Sequence, residues 1–461
     1  MKNYLTLKKL FEETPLFKNK SWQLSPEPFY VSEVERLELK AIGAACLQFY
    51  KAVTVLYNRS AHDKSLLRNT DYKAPWVADY YNRGKPKQLI NHSLQGALKN
   101  QLPCVIRPDL LLTEKGFILT ELDCVPGGIG LTTFLNETYQ KYNYNIIQNP
   151  EGMAAAFYKA LLSCVSENPK PYIAIVISDE SQDYRPEMEW ICHKLQKQHD
   201  ASISCCHPNE LIIKEDGIYI QQNKKNIKVD LIYRFFELFD LPQFPHTSEL
   251  YKHIKTGTVK LTPPMRPFQE EKLSLALFHH PKLKLFWKEQ LPADTYSVLY
   301  NLIPNSWILD STPLPAGAFW HGPTVNHEPI HDWRELGEAG TKERALILKI
   351  SGFHETAWGA RSVVLGSDVS RLEWKAAIEK ALNASESSVY ILQDYHKPKR
   401  ITHTAYDTDG KEYSSDYRVR LCPYYFISND QSHLGGALAT LCPPDKKIIH
   451  GMETAILLPS S

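Results

Sequence analysis

At 461 residues, with 43% hydrophobic and 23% charged residues, the chain is long enough for two or three domains and too ordinary in composition for a disordered or fibrous protein. A formal net charge of +1 gives no electrostatic case for nucleic acid or an anionic membrane, both of which favour a concentrated basic patch. No cleavable leader and no membrane-spanning run is expected, and the nine cysteines lack C-x-x-C spacing, so we expect reduced, mostly buried thiols in a cytoplasmic protein.

The first hundred residues alternate helical patterns with polar loops. The clearest is Ser32 to Leu56, where Leu39, Ile42, Cys46, Phe49, Val53 and Leu56 recur at spacings of three and four. Two apolar runs follow, carrying Arg107 with Asp109 and then Glu121 with Asp123, so each pair shares one face of a strand. A three-residue loop, Glu114-Lys115-Gly116, would set Thr113 opposite Phe117, Asp109 opposite Glu121 and Arg107 opposite Asp123. A four-residue loop would instead set Leu112 opposite Phe117 and send Asp109 and Glu121 to opposite faces. Three carboxylates on one face repel unless neutralised, and Mg²⁺ is the simplest neutraliser, with Arg107 then facing phosphate instead of carboxylate. A polar hairpin with an Arg-Asp salt bridge is the alternative. Pro108 inside the run implies an edge strand or a bulge.

Pro126-Gly127-Gly128-Ile129-Gly130 must turn sharply after the carboxylates and allows a close backbone approach to a ligand. Residues 150–167 read as a helix capped by Asn149. A compact α/β segment comes next. Tyr172 to Ser178 and Ala201 to Cys206 are strand candidates around an amphipathic stretch from Pro186 to Gln198. A hairpin turns at Glu215-Asp216-Gly217, and Val229 to Phe236 is a buried strand that carries Arg234. The order suggests a Rossmann-like unit with mainly parallel pairing, and without G-x-G-x-x-G dinucleotide binding is not supported. Arg234 is a candidate substrate contact at a strand's carboxyl end.

A helical run from Gln269 to Phe278 opens the last two hundred residues. Ala345 to Ile350 is a buried-strand pattern with Lys349 near its end. The loop after it contains Ser351, Gly352, Gly359, Ala360 and Arg361, and Ser362 to Leu365 returns as a strand. Such a lysine and loop can lay a cation and backbone N–H groups over phosphates, although no Walker A order is present. Beyond a helix near Arg371 to Leu382, a strand ends in Gln393-Asp394-Tyr395. That end could present backbone groups to an adenine edge and a carboxylate to ribose. Arg418 and Arg420, two apart on a later strand pattern, are candidates for a substrate carboxylate or phosphate.

Arg107-Pro108-Asp109 followed by Glu121-Leu122-Asp123 resembles the R-x-D then E-x-N order of the circularly permuted branch of the ATP-grasp superfamily that contains glutathionylspermidine synthetase. Lys272 in EEKLSLALF is similar to that branch's nucleotide-contacting helix lysine. Lys349 with AWGARSV is similar to its strand lysine and phosphate lid, and Gln393 to Tyr395 to its hinge. Asp123 replaces the usual asparagine. No amidase-like domain accompanies the motifs, so glutathionylspermidine itself is not implied.

The resemblance implies an α/β (α+β) fold of permuted ATP-grasp type, organised as three segments. Residues 1–165 would hold a helical region plus the metal-binding hairpin, 166–260 the Rossmann-like pre-ATP-grasp unit, and 261–461 the nucleotide-binding region with a lid at 341–400. It implies ATP and Mg²⁺ as cofactors, with Asp109, Glu121 and Asp123 as metal ligands and Arg107 stabilising charge during transfer. The activity implied is carboxylate-amine ligation through an acyl phosphate, on small-molecule or peptide substrates. A phosphotransferase using the same site, or a nucleotide-binding pseudoenzyme acting as an interaction module, remain open alternatives.

Overall fold

The computed structural model describes residues 2–14, 16, 22–165, 167–312, 322–357, 361–451 and 454–461. They form two compact units, one of Met1–Leu47, Gln95–Met265 and Lys397–Ser461, the other of Gln48–Leu94 and Arg266–His396. Each unit is built from segments far apart in the chain.

In the first unit the hairpin strands Val105–Thr113 and Gly116–Asp123 belong to a six-stranded antiparallel sheet, in which Val105–Thr113 lies between Gly116–Asp123 and the long strand Glu412–Ser428. Glu412–Ser428 also pairs with Arg400–Tyr406 and Gln431–Cys442, and Ile456–Pro459 closes the far edge. The helices Ile129–Gln140 and Met153–Ser163 cover the sheet with Ile129, Leu135, Phe157 and Leu161, each fully buried. The second helix starts at Met153, later than expected. Asn149 accepts from the Glu151 N–H and makes a turn, and Gly152 stands at the helix start with φ of 90°.

The same unit contains a parallel sheet of Ile203–Cys206, Ile173–Ile177, Leu231–Phe235 and Lys260–Thr262, with Arg185–His199 between the first two in sequence. This is the strand-helix-strand pattern expected from the apolar runs, and Ile173–Ile177 is buried along its whole length because neighbours flank it on both sides.

In the second unit a four-stranded antiparallel sheet runs Ser306–Leu309, Tyr390–Asp394, Leu346–Ile350, Val364–Leu365. Its core joins Leu346, Leu348 and Ile350 to Trp374, Ile378 and Leu382 of the helix Arg371–Asn383, which starts at a Ser370/Glu373 capping box. Lys272 lies one residue before the helix Leu273–His279, since Pro267–Glu270 forms a separate 3₁₀ turn.

Helix Glu33–Ala61 is 29 residues long and contributes to both units. Against expectation it is long and apolar enough to cross a membrane by length and composition, and 67% of its apolar window is buried. The stripe Leu39, Ile42, Cys46, Phe49, Val53 and Leu56 supplies that burial.

Candidate functional site

The hairpin has the expected pairing by an unexpected route. Its turn is two residues long: Thr113 faces Gly116 and Leu112 faces Phe117, the register that alone would separate Asp109 from Glu121. A bulge between Leu110 and Asp109 absorbs Thr120, whose Oγ1 donates to the Asp109 carbonyl at 3.0 Å, and this restores Asp109 opposite Glu121 and Arg107 opposite Asp123. The three-residue loop is therefore corrected to a two-residue turn plus a bulge. Pro108 sits beside the bulge in an interior strand.

Arg107 is held by the hairpin's own carboxylates. Its Nε lies 3.0 Å from Asp109 Oδ1, its Nη2 lies 3.1 Å from Asp123 Oδ2, and its Nη1 donates to the Gly127 carbonyl at 3.1 Å. Arg420 Nη1 holds the other Asp109 oxygen at 3.0 Å, and the Cys422 thiol donates to Oδ1 at 3.3 Å. Burial alone would push the Asp109 carboxyl up, but Arg107, Arg420 and the thiol outweigh it, and the group lies below the ordinary range. Asp123 goes the other way. Burial raises it, Glu121 and Asp109 add to the rise, and Arg107 and the Val125 N–H oppose it.

This arrangement does not fit a divalent cation. Both Asp109 oxygens are committed to arginines, and among the described residues no group of three His, Cys, Asp or Glu side chains could hold a metal. The glycines after the hairpin also serve the protein itself. A Cβ on Gly127 would lie 2.2 Å from the Tyr184 ring, one on Gly128 2.4 Å from Tyr424 Oη, and one on Gly130 2.5 Å from the Glu187 carbonyl. The buried Glu187 carboxylate accepts from Gly128 N at 2.6 Å and Leu131 N at 3.3 Å, filling the N-terminus of helix Ile129–Gln140.

The second unit gathers the other candidates. Lys349 stands on Leu346–Ile350 two positions from the residue opposite Gln393, so both side chains share a face, and Lys349 Nζ donates to Gln393 Oε1 at 2.8 Å. Gln393 Nε2 donates in turn to Ser306 Oγ at 3.0 Å, and Lys349 and Gln393 are both buried. The N–H groups of Asp394 and Tyr395 donate to the carbonyls of Asn305 and Ala345, so these expected hinge donors are taken up by the sheet. The Asp394 carboxyl is pushed up by burial and accepts from Asn305 Nδ2 at 2.9 Å.

Lys272 meets the loop after Lys349. Its Nζ donates to the Ala357 carbonyl at 2.8 Å, and its backbone N–H donates to the Ser351 carbonyl at 3.0 Å. Ser351 Oγ donates to Glu271 and accepts from Leu273 N, while a Cβ on Gly352 would lie 2.9 Å from Glu271 Cδ. Phe353 has φ of 46°, a strained value for a bulky residue. Of the other expected loop residues, Arg361 is exposed, and Gly359 and Ala360 lie outside the described residues.

Sequence reasoning missed the group beneath this loop. Lys85 Nζ lies 2.6 Å from Glu271 Oε1, with side chains 3% and 2% exposed, and sits 5.5 Å from the Phe353 ring centre. Glu271 adjoins Lys272 in sequence and was open to notice, whereas nothing in the pattern around Lys85 points to a site 186 residues away. Glu187 and Cys422 were missed for the same reason. Arg234 is fully buried, donating to the carbonyls of Pro263 and Phe236 at 3.3 and 2.7 Å. Arg418 donates to the Lys446 carbonyl at 2.8 Å.

The chain thus combines two mixed α/β units, one built on a large antiparallel sheet and one carrying a strand lysine beside a loop, and comparison with solved structures finds a chain of similar fold. The chain is similar in fold to a glutathione synthetase-like effector from Globodera pallida in its apo form, at 12% identity and a TM-score of 0.57, covering 100% of this chain and 96% of that one. A provisionally assigned gamma-glutamylcysteine synthetase from Methylobacillus flagellatus is similar at 11% identity over 83% of this chain and 86% of that one, with a TM-score of 0.43 that carries no further weight. No family model and no curated protein sequence matches the chain.

Proposed function

We propose that this chain is an ATP-dependent carboxylate-amine ligase of permuted ATP-grasp type. The observation that carries the reading is a pair of buried lysines in the second unit. Lys349 and Lys272 are both buried, both within hydrogen-bond reach of neutral oxygens, and both attached to the loop that follows the lysine strand. A nucleotide phosphate is a stronger acceptor for an ammonium than the Gln393 amide or the Ala357 carbonyl. The fold likeness to a glutathione synthetase-like protein supports the same class.

In this reading a substrate carboxylate attacks the γ-phosphorus of ATP, ADP leaves, and the acyl phosphate is attacked by an amine with loss of phosphate. Lys272 and Lys349 spread the phosphate charge, and the loop excludes water. Arg107 is assigned to the charge on the transferring group, which requires it to leave Asp109 or Asp123. ATP and Mg²⁺ are the cofactors that the resemblance implies. The hairpin as arranged does not fit the ion, so no step is assigned to a metal there. That closed hairpin favours one second reading, a nucleotide-binding protein without turnover.

The test is stabilisation and turnover in sequence. Mg-ATP is expected to raise the melting temperature, and a pool of amines and carboxylates to stimulate ADP release. A melting shift without stimulated ADP release supports the second reading, and no shift with any nucleotide rejects both.

A further inference from the structure

On the large sheet, Glu412–Ser428 changes neighbour along one edge. It pairs with Arg400–Tyr406 up to Arg418 opposite Arg400, and with Val105–Thr113 from Arg420 opposite Leu111. The Lys399 N–H to Leu112 carbonyl bond, at 2.9 Å, closes the seam between the two neighbours. Arg418 and Arg420 straddle that seam on one face of the sheet. Arg400 lies directly across from Arg418 on the same face, a placement that is unfavourable for two like charges unless something negative lies with them.

Among the described residues no carboxylate forms an ion pair with Arg400 or Arg418. Arg418 is 5% exposed, yet among the described residues it makes no ion pair, and its single acceptor is the Lys446 carbonyl. Its Nε is buried without a hydrogen-bond partner, and so is Arg420 Nε. Thr440, opposite Arg420 and fully buried, has an Oγ1 that is also unpartnered. The carboxylate two residues along this face, Asp416, accepts from Thr402 Oγ1 at 3.0 Å and forms no ion pair among the described residues. A buried guanidinium without an anion is a costly arrangement, and here three unsatisfied polar atoms of one face share it.

We propose that Arg400, Arg418 and Thr440, together with the free edge of Arg420, form a binding site for the carboxylate of a small acid. A carboxylate offers two coplanar oxygens. Arg418 can take both through its Nε edge, Arg400 can neutralise it from the exposed side, and the Thr440 hydroxyl can complete its acceptor set. Arg420 spends Nη1 on Asp109, so the site adjoins the hairpin cluster and binds on the same face. That the acid is the ligase's own substrate rests on the function proposed above, whereas the site itself does not.

The experiment uses the full chain without nucleotide and titrates glutarate and inorganic phosphate, following the melting temperature and heat of binding. Glutarate is expected to bind, and to bind about tenfold more weakly to Arg400→Gln and to Arg418→Gln, the loss of roughly one charge-assisted bond. Arg400 is exposed and makes no side-chain bond among the described residues, so Arg400→Gln is expected to keep the fold if Arg418→Gln does not. Thr440→Val is a third variant that changes no charge, and weaker glutarate binding is expected there too. No glutarate binding at tens of millimolar, or binding equal in wild type and Arg400→Gln, overturns the proposal. Tighter binding of phosphate than of glutarate overturns the carboxylate assignment. A missing ATP response with glutarate binding intact counts against the ligase reading alone.

Discussion

Replacing Lys85 by methionine tests whether the pair beneath the loop organises the second unit. Glu271 would then lie at 2% side-chain exposure without its lysine, with the Ser351 hydroxyl still donating to it. Removing one partner of a buried pair costs about 3–5 kcal/mol, because the remaining charge is desolvated without compensation. A unit of this size loses roughly 2–4 °C of melting temperature per kcal/mol, so the expected fall is roughly 6–20 °C. Replacing both residues by methionine removes both charges, keeps the volume, and leaves only the Ser351 hydroxyl short of an acceptor, at about 1 kcal/mol. The double variant should therefore be more stable than Lys85→Met alone, with a coupling energy well above the scatter of additive mutations. Urea denaturation of both single variants and the double variant completes the cycle, followed by fluorescence, with Trp287, Trp333 and Trp374 as buried reporters in this unit. A fall of less than about 2 °C for Lys85→Met, or a double variant no better than the single one, would show that the pair does not organise the unit.

Three other outcomes follow from named contacts. Glu187→Ala leaves the Gly128 and Leu131 N–H groups without their buried acceptor and should cost roughly 2 kcal/mol by denaturant titration, with Glu187→Gln recovering part of it. Lys349→Met should remove most of the ATP-induced melting shift, which in wild type corresponds to about 2.7 kcal/mol at a nucleotide concentration one hundred times Kd. Asp310 accepts from Tyr80, Arg83 and Thr312. Burial would raise it, but these bonds outweigh burial and hold it at about 2. Its folded value is depressed, so its stabilisation is full above the unfolded value of about 3.9 and is lost as pH falls through the folded value. Allowing for solvent screening, about 1–2 kcal/mol should disappear between about pH 4 and pH 2, and Asp310→Asn should flatten that part of the stability curve.

Much of the local structure is legible because it is written in short periods. The stripe from Leu39 to Leu56, the parallel strands around Arg185–His199, and the strand bearing Lys349 follow from apolar spacing alone. Lys349 and Gln393 could be placed in one nucleotide site because each stood near the end of a buried run, but their direct bond could not. The hairpin was legible in its pairing and illegible in its cause, since a bulge at Thr120 and a three-residue loop give the same cross-strand partners for Asp109. What stays hidden depends on distant segments. Arg420 meets Asp109 across 311 residues, so the expected metal ligand stands between two arginines. The Lys85 contact with Glu271 depends in the same way on how separate segments pack. Glycines read as making room for a ligand proved to make room for Tyr184, Tyr424 and Glu187.

The most direct test of the ligase account follows oxygen. The full chain would be incubated with Mg-ATP, an amine pool and an acid pool labelled with ¹⁸O in the carboxylates, and the released phosphate examined by mass spectrometry. An acyl phosphate hands one carboxylate oxygen to phosphate when the amine displaces it, so the account predicts ¹⁸O in phosphate together with an amide product. Phosphate free of ¹⁸O while amide accumulates would contradict the acyl-phosphate route, and no amide from any acid and amine would contradict the ligase reading itself.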